Sequence, residues 1–316
     1  MSKNYLIVGG SGFIGSHFAG ELLRREEGLV RIVDNLCSGS LGHIKDFMGN
    51  PNFELHQANA KDTSELTNLM TDIDTVIHLA SNPDIAKASS MPRIDFVQGT
   101  VLTESVVEAS RISGVSTILY ASGSGVYGDA GHQTLFEDSP LNPISTYGAS
   151  KLAGESLLSS YSFMFGMKCL AFRFANVVGP RQTHGVGYDF LRRLREKPHH
   201  LAILGDGSQT KSYIHVSDVV NAVLFANEVV AGGYDVFNIA TPDQITVNEI
   251  AVMAEKAMGI NPDSVTHSYS GGDRGWKADV PVVKLSAQKI KKLGWTPSHN
   301  SQEAMSMSLS EMAKFL

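Results

Sequence analysis

The stretch Tyr5-Leu-Ile-Val-Gly-Gly-Ser-Gly-Phe-Ile-Gly15 constrains the fold more than any other. A short apolar run, Leu6 to Val8, leads into glycines at 9, 10, 12 and 15. From Phe13 the apolar residues recur at helical intervals, through Ile14, Phe18, Leu22 and Leu23. The pattern predicts a strand, a glycine turn and a helix. Glycines let the backbone turn sharply and approach a pyrophosphate, whose charge rests on the N–H groups that open the helix. The spacing is G-x-x-G-x-x-G rather than the commoner G-x-G-x-x-G, and glycine-rich turns are frequent. The turn therefore takes its meaning from the residues that come after it in the chain.

Leu29 to Asp34 reads as a second strand that ends in an acid, 19 residues after Gly15. A carboxylate there accepts the ribose hydroxyls of NAD and repels the 2′-phosphate of NADP. Further strands are expected at Asn52–Ala60, Asp74–Ala80, Ser116–Ser122 and Cys169–Phe174. Helices are expected around Leu66–Met70, over 94–112 and over Thr146–Met164. Alternation of this kind predicts an α/β fold, a Rossmann-type doubly wound parallel sheet, with a smaller α/β C-terminal lobe. Regularity fades after Gly179-Pro180. A basic helix (189–196), a short strand (Leu201–Leu204), a strand at Tyr213–Val216 and a helix at Val247–Met258 are expected there. The helix after Val216 is expected to be capped by Ser217 or Asp218 and to rejoin the large sheet. The expected boundaries are 1–179 with 213–240 for the dinucleotide domain, and 180–212 with 241–316 for the substrate lobe.

The net charge of −6 argues against a nucleic-acid or membrane-surface binder. No apolar run approaches the ~18 residues that span a bilayer, and the first strand begins too early for a signal peptide. With only Cys37 and Cys169, neither a disulfide framework nor a cysteine zinc site is indicated, and a cytoplasmic location is expected. The 11 histidines are scattered, and no metal site is expected.

Tyr147-Gly-Ala-Ser-Lys151 is the second signal. A tyrosine and a lysine four apart share a helix face. The ammonium is expected to favour the phenolate and lower the tyrosine pKa from about 10. Tyr-x-x-x-Lys alone is weak, since chance pairs are common. It gains weight from falling on a long helix behind Ser122-Gly-Ser-Gly-Val-Tyr-Gly128.

With these residues assembled, the chain resembles the extended short-chain dehydrogenase/reductase family along its whole length. The resemblance rests on Gly-Gly-Ser-Gly-Phe-Ile-Gly (9–15), Asp-Asn-Leu (34–36), His-Leu-Ala (78–80), Val-Tyr-Gly (126–128), Tyr-x-x-x-Lys (147–151) and Arg-Phe-Ala-Asn-Val-Val-Gly-Pro (173–180). Gly-Asp-Gly-Ser-Gln (205–209), Tyr-Ile-His-Val-x-Asp (213–218) and Leu-Gly-Trp-x-Pro (293–297) extend it. Ala-Asn-Val-Val-Gly-Pro-Arg (175–181), His-Gly-Val-x-Tyr-Asp-Phe (184–190) and Asp-Arg-Gly-Trp (273–276) narrow it to nucleotide-sugar epimerases, most like archaeal UDP-galactose (UDP-glucose) 4-epimerases.

The resemblance implies roles. Tyr147 is the expected general base toward the sugar 4-hydroxyl, Lys151 its partner, and Ser122 or Ser124 a further catalytic hydroxyl. NAD is the expected cofactor, taking hydride from C4 to leave a 4-keto sugar and returning it to the other face. The expected NAD-binding residues are Gly9, Gly12, Phe13, Ile14, Asp34, Asn35, Leu36, Ser38, Gly39, Asn59, Ala60, Leu79, Ala80, Ser81, Ala121, Ser122, Tyr147, Lys151, Phe174 and Val177. The expected residues for a nucleotide-diphosphate sugar are Asn176, Val186, Ala202, Leu204, Lys211 and Arg274. A homodimer through the helices at 94–112 and 146–164 is also implied.

Three departures stand out. Gly123 replaces a second Ser or Thr usual in the family, Phe96 replaces an asparagine common three residues before Gly99, and Asn59 replaces the usual acid near the adenine. Lys211 keeps the charge of the family's arginine without its bidentate fork. A dehydratase or oxidoreductase sharing the 4-keto intermediate is the rival enzyme. Against a dehydratase, Ser124 and Gly125 occupy the positions of its Asp-Glu pair. A non-catalytic NAD-binding sensor is the rival from another class, motivated by Gly123.

Overall fold

A computed structural model of the chain describes residues 2–275 and 279–315. The elements begin β1 (Tyr5–Val8), α1 (Phe13–Arg24), β2 (Val30–Asp34), β3 (Phe53–Gln57), α2 (Thr63–Leu69), β4 (Thr75–His78), α3 (Leu102–Ile112), β5 (Thr117–Gly123), α4 (Thr146–Phe165) and β6 (Lys168–Phe174). They continue with β7 (Asn176–Val178), α5 (Val186–Glu196), β8 (His200–Ile203), β9 (Thr210–Lys211), β10 (Tyr213–His215), α6 (Val216–Val229) and β11 (Tyr234–Ile239). Last come β12 (Ile245–Thr246), α7 (Val247–Ala257), β13 (Thr266–Tyr269), β14 (Val282–Val283), α8 (Gln288–Lys292) and α9 (Ser301–Ala313).

A seven-stranded sheet runs in the order β11-β6-β5-β4-β1-β2-β3. β1 pairs in parallel with β2 on one side and β4 on the other, Ile7 standing opposite Ile32 and Ile77. The strand order reverses there, so the carboxyl ends of β1 and β4 form the topological switch point where such sheets bind ligands. All four residues of β1 and all four of β4 are buried. Parallel strands covered on both faces read as continuous apolar runs, as Tyr5–Val8 does, while β4 also buries Thr75 and His78 at its ends. The expected doubly wound α/β fold is present.

The chain divides into two compact units: Met1–Val126 with Pro143–Arg173 and Val223–Phe237, and Tyr127–Asn142 with Phe174–Ala222 and Asn238–Leu316. In the first, Leu6, Val8 and Val33 pack with Leu66, Met70 and Val106 from the flanking helices. Each such side chain contributes about 1.5–3 kcal/mol by leaving water. In the second, Phe190, Leu191, Leu201, Ile250 and Met305 share a separate core. Thr246 and Asn300 begin α7 and α9 with full capping boxes, through Glu249 and Glu303.

Two expectations need correction. The helix expected over 94–112 is a π-helical turn, Phe96–Val101, followed by α3. α6 begins at Val216, before the expected caps; the Ser217 hydroxyl bonds His215 Nδ1 instead, and the Asp218 carboxylate accepts from the N–H groups of Ser298 and His299. Tyr213–His215 pairs with β7 in a two-stranded sheet, while α6 from Val223 onward lies in the first unit and β11 after it joins the large sheet.

Candidate active site

The glycine turn after β1 is built by close approach. Gly9 has φ +82, a backbone state that L side chains rarely adopt. A Cβ on Gly15 would sit 2.5 Å from the Gly9 carbonyl oxygen, so glycine there brings α1 hard against the turn. Gly12 caps α1 without any side-chain hydrogen bond, which leaves the first N–H groups of Phe13 and Ile14 to the helix mouth. Asp34, buried at the end of β2, accepts from Ser11 N at 2.9 Å and Leu36 N at 2.8 Å. Leu36 takes φ 58 to complete this turn. Leu79 and Ala80 both donate their N–H to Val8 O at 3.0 Å, which fixes the loop after β4 beside the glycine turn. Asn35 and Ser38 are exposed, Gly39 half-buried; a Cβ on Gly39 would lie 2.9 Å from Asp34 Oδ2. Asn59 is exposed and Ala60 buried, both beyond the end of β3.

Tyr147 stands in the first turn of α4, which Ser145 caps by accepting from Gly148 N at 3.0 Å. A Cβ on Gly148 would meet Gly125 O at 2.4 Å, so α4 starts in backbone contact with the loop after β5. Lys151 is buried and donates to Ala121 O at 2.7 Å, with Nζ 5.5 Å from the Tyr147 ring centre and 5.1 Å from that of Tyr120. Burial lowers the Lys151 pKa to about 8, with the Glu155 charge opposing. Contrary to the sequence expectation, the Tyr147 hydroxyl is pushed above its usual pKa. Burial of the hydroxyl is the main cause, the Asp95 charge adds to it, and a hydrogen bond with Ser81 opposes it. The expectation weighed the ammonium alone and left desolvation out.

Ser122 and Ser124 differ in orientation. Ser122 is buried and donates its hydroxyl to Glu155 Oε1 at 2.5 Å. Glu155 also receives Nε and Nη2 of Arg173, at 3.0 and 2.7 Å, in a buried bidentate pair. Ser124 is half-exposed, in the short turn Ser124–Val126. A Cβ on Gly123 would meet nothing within 4 Å.

The second unit carries the other expected residues. Asn176 is exposed on β7, with its Nδ2 3.4 Å from Ser212 O, and Val177 beside it is half-buried. Phe174, at the end of β6, is buried. Val186 opens α5 and is half-buried. Ala202 on β8 is exposed, and Leu204 just beyond the strand is 52% exposed. Lys211 pairs with Asp279 Oδ1 at 2.6 Å. Arg274 donates to Asp279 O at 2.6 Å and to Asp129 Oδ2 at 2.5 Å, a net in which both cations meet carboxylates. Arg274 is thus tied into the unit rather than solvated alone; Trp276 lies outside the described residues.

A family model described as NAD dependent epimerase/dehydratase family matches residues 5–240. The chain belongs to that family. It is 30% identical to a putative UDP-glucose 4-epimerase of Methanocaldococcus jannaschii over 311 residues, 95% of each chain. It is 36% identical to a UDP-galactose 4-epimerase of known crystal structure, with a TM-score of 0.87 and 99% of both chains covered. A third likeness is to a UDP-glucose 4-epimerase solved with UDP-glucose, from Thermotoga maritima, at 30% identity and TM-score 0.88, again over 99% of both chains.

The family's cofactor is NAD, and the first unit fits it. The glycine turn admits backbone approach, α1 opens on Gly12 without a side-chain cap, and Asp34 waits at the second strand. Ser11 Oγ, buried in that turn, has no hydrogen-bond partner among the described residues, as expected of a group built to meet a ligand. Among the described residues no cluster of His, Cys, Asp or Glu could hold a metal, and no helix is long and apolar enough to cross a membrane.

Two site features escaped the sequence reading. Glu155 lies four residues after Lys151 and eight after Tyr147, on one helix face, a spacing that could have revealed it. Asp95 lies outside every motif and is buried against the start of α4.

Proposed function

We propose that the chain is an NAD-dependent nucleotide-sugar 4-epimerase, interconverting UDP-glucose and UDP-galactose or their N-acetyl forms. The observation that carries this is the Tyr147–Lys151 pair on α4, beside the end of β5 in the same unit as a glycine turn fit for NAD. In the reading, Gly9, Gly12, Phe13 and Ile14 receive the pyrophosphate and Asp34 to Gly39 the ribose, while Asn59 and Ala60 flank the adenine. Leu79 to Ser81 and Ala121 would line the nicotinamide end, and Phe174 and Val177 are the second unit's residues assigned to NAD. Bound NAD supplies the acceptor for the hydride at sugar C4 and the donor that returns it. Tyr147 takes the 4-hydroxyl proton and gives it back after the keto sugar has turned its other face. Lys151 keeps positive charge beside the phenolate that forms. Arg274 and Lys211 would take the diphosphate, Asn176 and Val186 the sugar–phosphate end, and Ala202 and Leu204 the base. The test is incubation with each UDP-sugar and resolution of the products. Interconversion of 4-epimers is expected, and a keto or deoxy product in its place overturns the reading.

Gly123 gives a second expected outcome. Its φ is not in the left-handed region and its side-chain position is open. Gly123→Thr should therefore fold normally and add a hydroxyl toward the substrate. A rise in kcat of about ten-fold is expected if that hydroxyl shares the reacting proton's hydrogen bond; an unchanged or lower rate at intact stability counts against the placement.

The partner in the reading is a second copy of the chain. Phe163 is 93% exposed and Met164 67%, at the end of α4, and Ile112 is 52% exposed at the end of α3. Apolar groups gathered at adjacent helix ends fit a helix–helix contact between copies. Sedimentation velocity decides it, a monomer at micromolar concentration being the contrary result. Two free thiols, Cys37 and Cys169, fit a reducing cytoplasm.

A further inference from the structure

Asp95 is fully buried, and its carboxylate touches the neighbours of both residues that flank the reacting hydroxyl. Oδ1 accepts from Asn82 Nδ2 at 2.8 Å, and Oδ2 accepts from Thr146 Oγ1 at 2.6 Å. Asn82 directly follows Ser81, and Thr146 directly precedes Tyr147. The Ser81 side chain acts on the Tyr147 hydroxyl in the sense that lowers its pKa. One carboxylate thus ties the loop after β4 to the first turn of α4, on the two sides of that contact. Asn82 is held further, its Oδ1 accepting from Asp84 N at 3.1 Å and its Nδ2 donating to Asp84 O at 2.8 Å.

The π-helical turn Phe96–Val101 explains how Asp95 comes to be there. Gly99 packs directly on α4, where a Cβ would lie 2.5 Å from Ser150 Oγ. With i→i+5 winding, the residue four before Gly99 stays on that packed face, and the residue three before is turned away from it. Accordingly Asp95 is 0% exposed and Phe96 is 52% exposed. The departure at Phe96 and the burial of Asp95 are two results of one local change in winding.

A buried carboxylate whose donors among the described residues are neutral is costly, and a structural tie could be made by asparagine instead. We infer that Asp95 is a positioning residue for Tyr147, holding the phenol in place through Asn82 and Thr146 and setting its proton affinity through its charge. The inference rests on Tyr147 being the base. The charged and titratable groups around the phenol are Asp95 at the π turn, Lys151 on its own helix and Tyr120 on β5. The first opposes ionisation of Tyr147 and the second favours it. A base that must both take up and return a proton works best when its proton affinity is held between such opposing charges.

Asp95→Asn separates charge from geometry. The new amide can accept from Asn82 and donate to Thr146, whose hydroxyl serves either role. Loss of the negative charge favours the phenolate, so the Tyr147 pKa falls. The limb of kcat that rises with pH should then move to lower pH. Tyrosinate absorbance, titrated against pH and corrected with Tyr147→Phe, should move the same way in the protein as purified. Thr146→Val keeps the charge and cuts one tie; kcat should fall about ten-fold with KM for the sugar nearly unchanged and the pH limb in place. An unmoved pH limb and an unmoved titration in Asp95→Asn overturn the inference, as does full kcat in Thr146→Val. If Asp95→Asn does not fold, the Thr146→Val result alone decides the positioning role. If Tyr147→Phe stays fully active, it is the reading of Tyr147 as base that fails, while the absorbance titration still reports on Asp95.

Discussion

Tyr147→Phe should lower kcat by about a thousand-fold, the middle of the range that a positioned acid–base group contributes. The substitution removes one oxygen from a side chain at the start of α4 and leaves the helix cap at Ser145 and the Lys151–Ala121 bond in place. Stability and bound NAD per chain should therefore stay near the wild-type values, and KM for the UDP-sugar should change little. Product formation under saturating sugar checks the rate, and absorbance of the denatured supernatant checks the cofactor. The size of the effect comes from the role. Without a group to take the 4-hydroxyl proton, the developing charge on that oxygen must be carried by solvent. A surviving rate within ten-fold of wild type would show that another group is the base.

Glu155→Ala should destabilise the protein by about 3–5 kcal/mol, the cost of removing one partner from a buried ion pair. The side chains of Arg173 and Glu155 are 3% and 4% exposed, and the pair is bidentate. Removing the carboxylate takes from the buried guanidinium the opposite charge it pairs with, and takes the acceptor from the Ser122 hydroxyl as well. The three residues come from α4, β6 and β5, so the pair fastens together the elements that carry Tyr147, Lys151 and Gly123. Equilibrium unfolding in urea measures the loss directly. A loss under about 1 kcal/mol would mean that the interior relaxes to water the arginine, contrary to the packing described.

The parts of this molecule that were legible in the sequence are those written locally. The glycine turn is encoded in one run of residues because close approach at Gly9 and Gly15 tolerates no side chain. The doubly wound parallel sheet is readable because short apolar runs alternate with helical stretches. Tyr147 and Lys151 are readable because four residues bring them to one helix face. The features that were not legible depend on pairs far apart in the chain. Asp95 meets Thr146 across 51 residues, and Arg173 on β6 meets Glu155 on α4. Nor does apolar periodicity announce a π turn, since its one extra residue per turn is set by the packing of Gly99 on Ser150. The direction of the Tyr147 pKa was misjudged for a related reason. The charge of Lys151 is visible in the sequence, whereas the burial that raises the Tyr147 pKa exists only in the fold.

The central claim is that hydride leaves C4 of the sugar and returns to the same carbon without leaving the protein. UDP-galactose carrying deuterium at C4, incubated with the protein as purified and without added NAD, tests it most directly. The account predicts UDP-glucose that retains deuterium at C4, read by nuclear magnetic resonance. Formation of a keto or deoxy sugar, loss of the label to solvent, or no 4-epimer at all would contradict it.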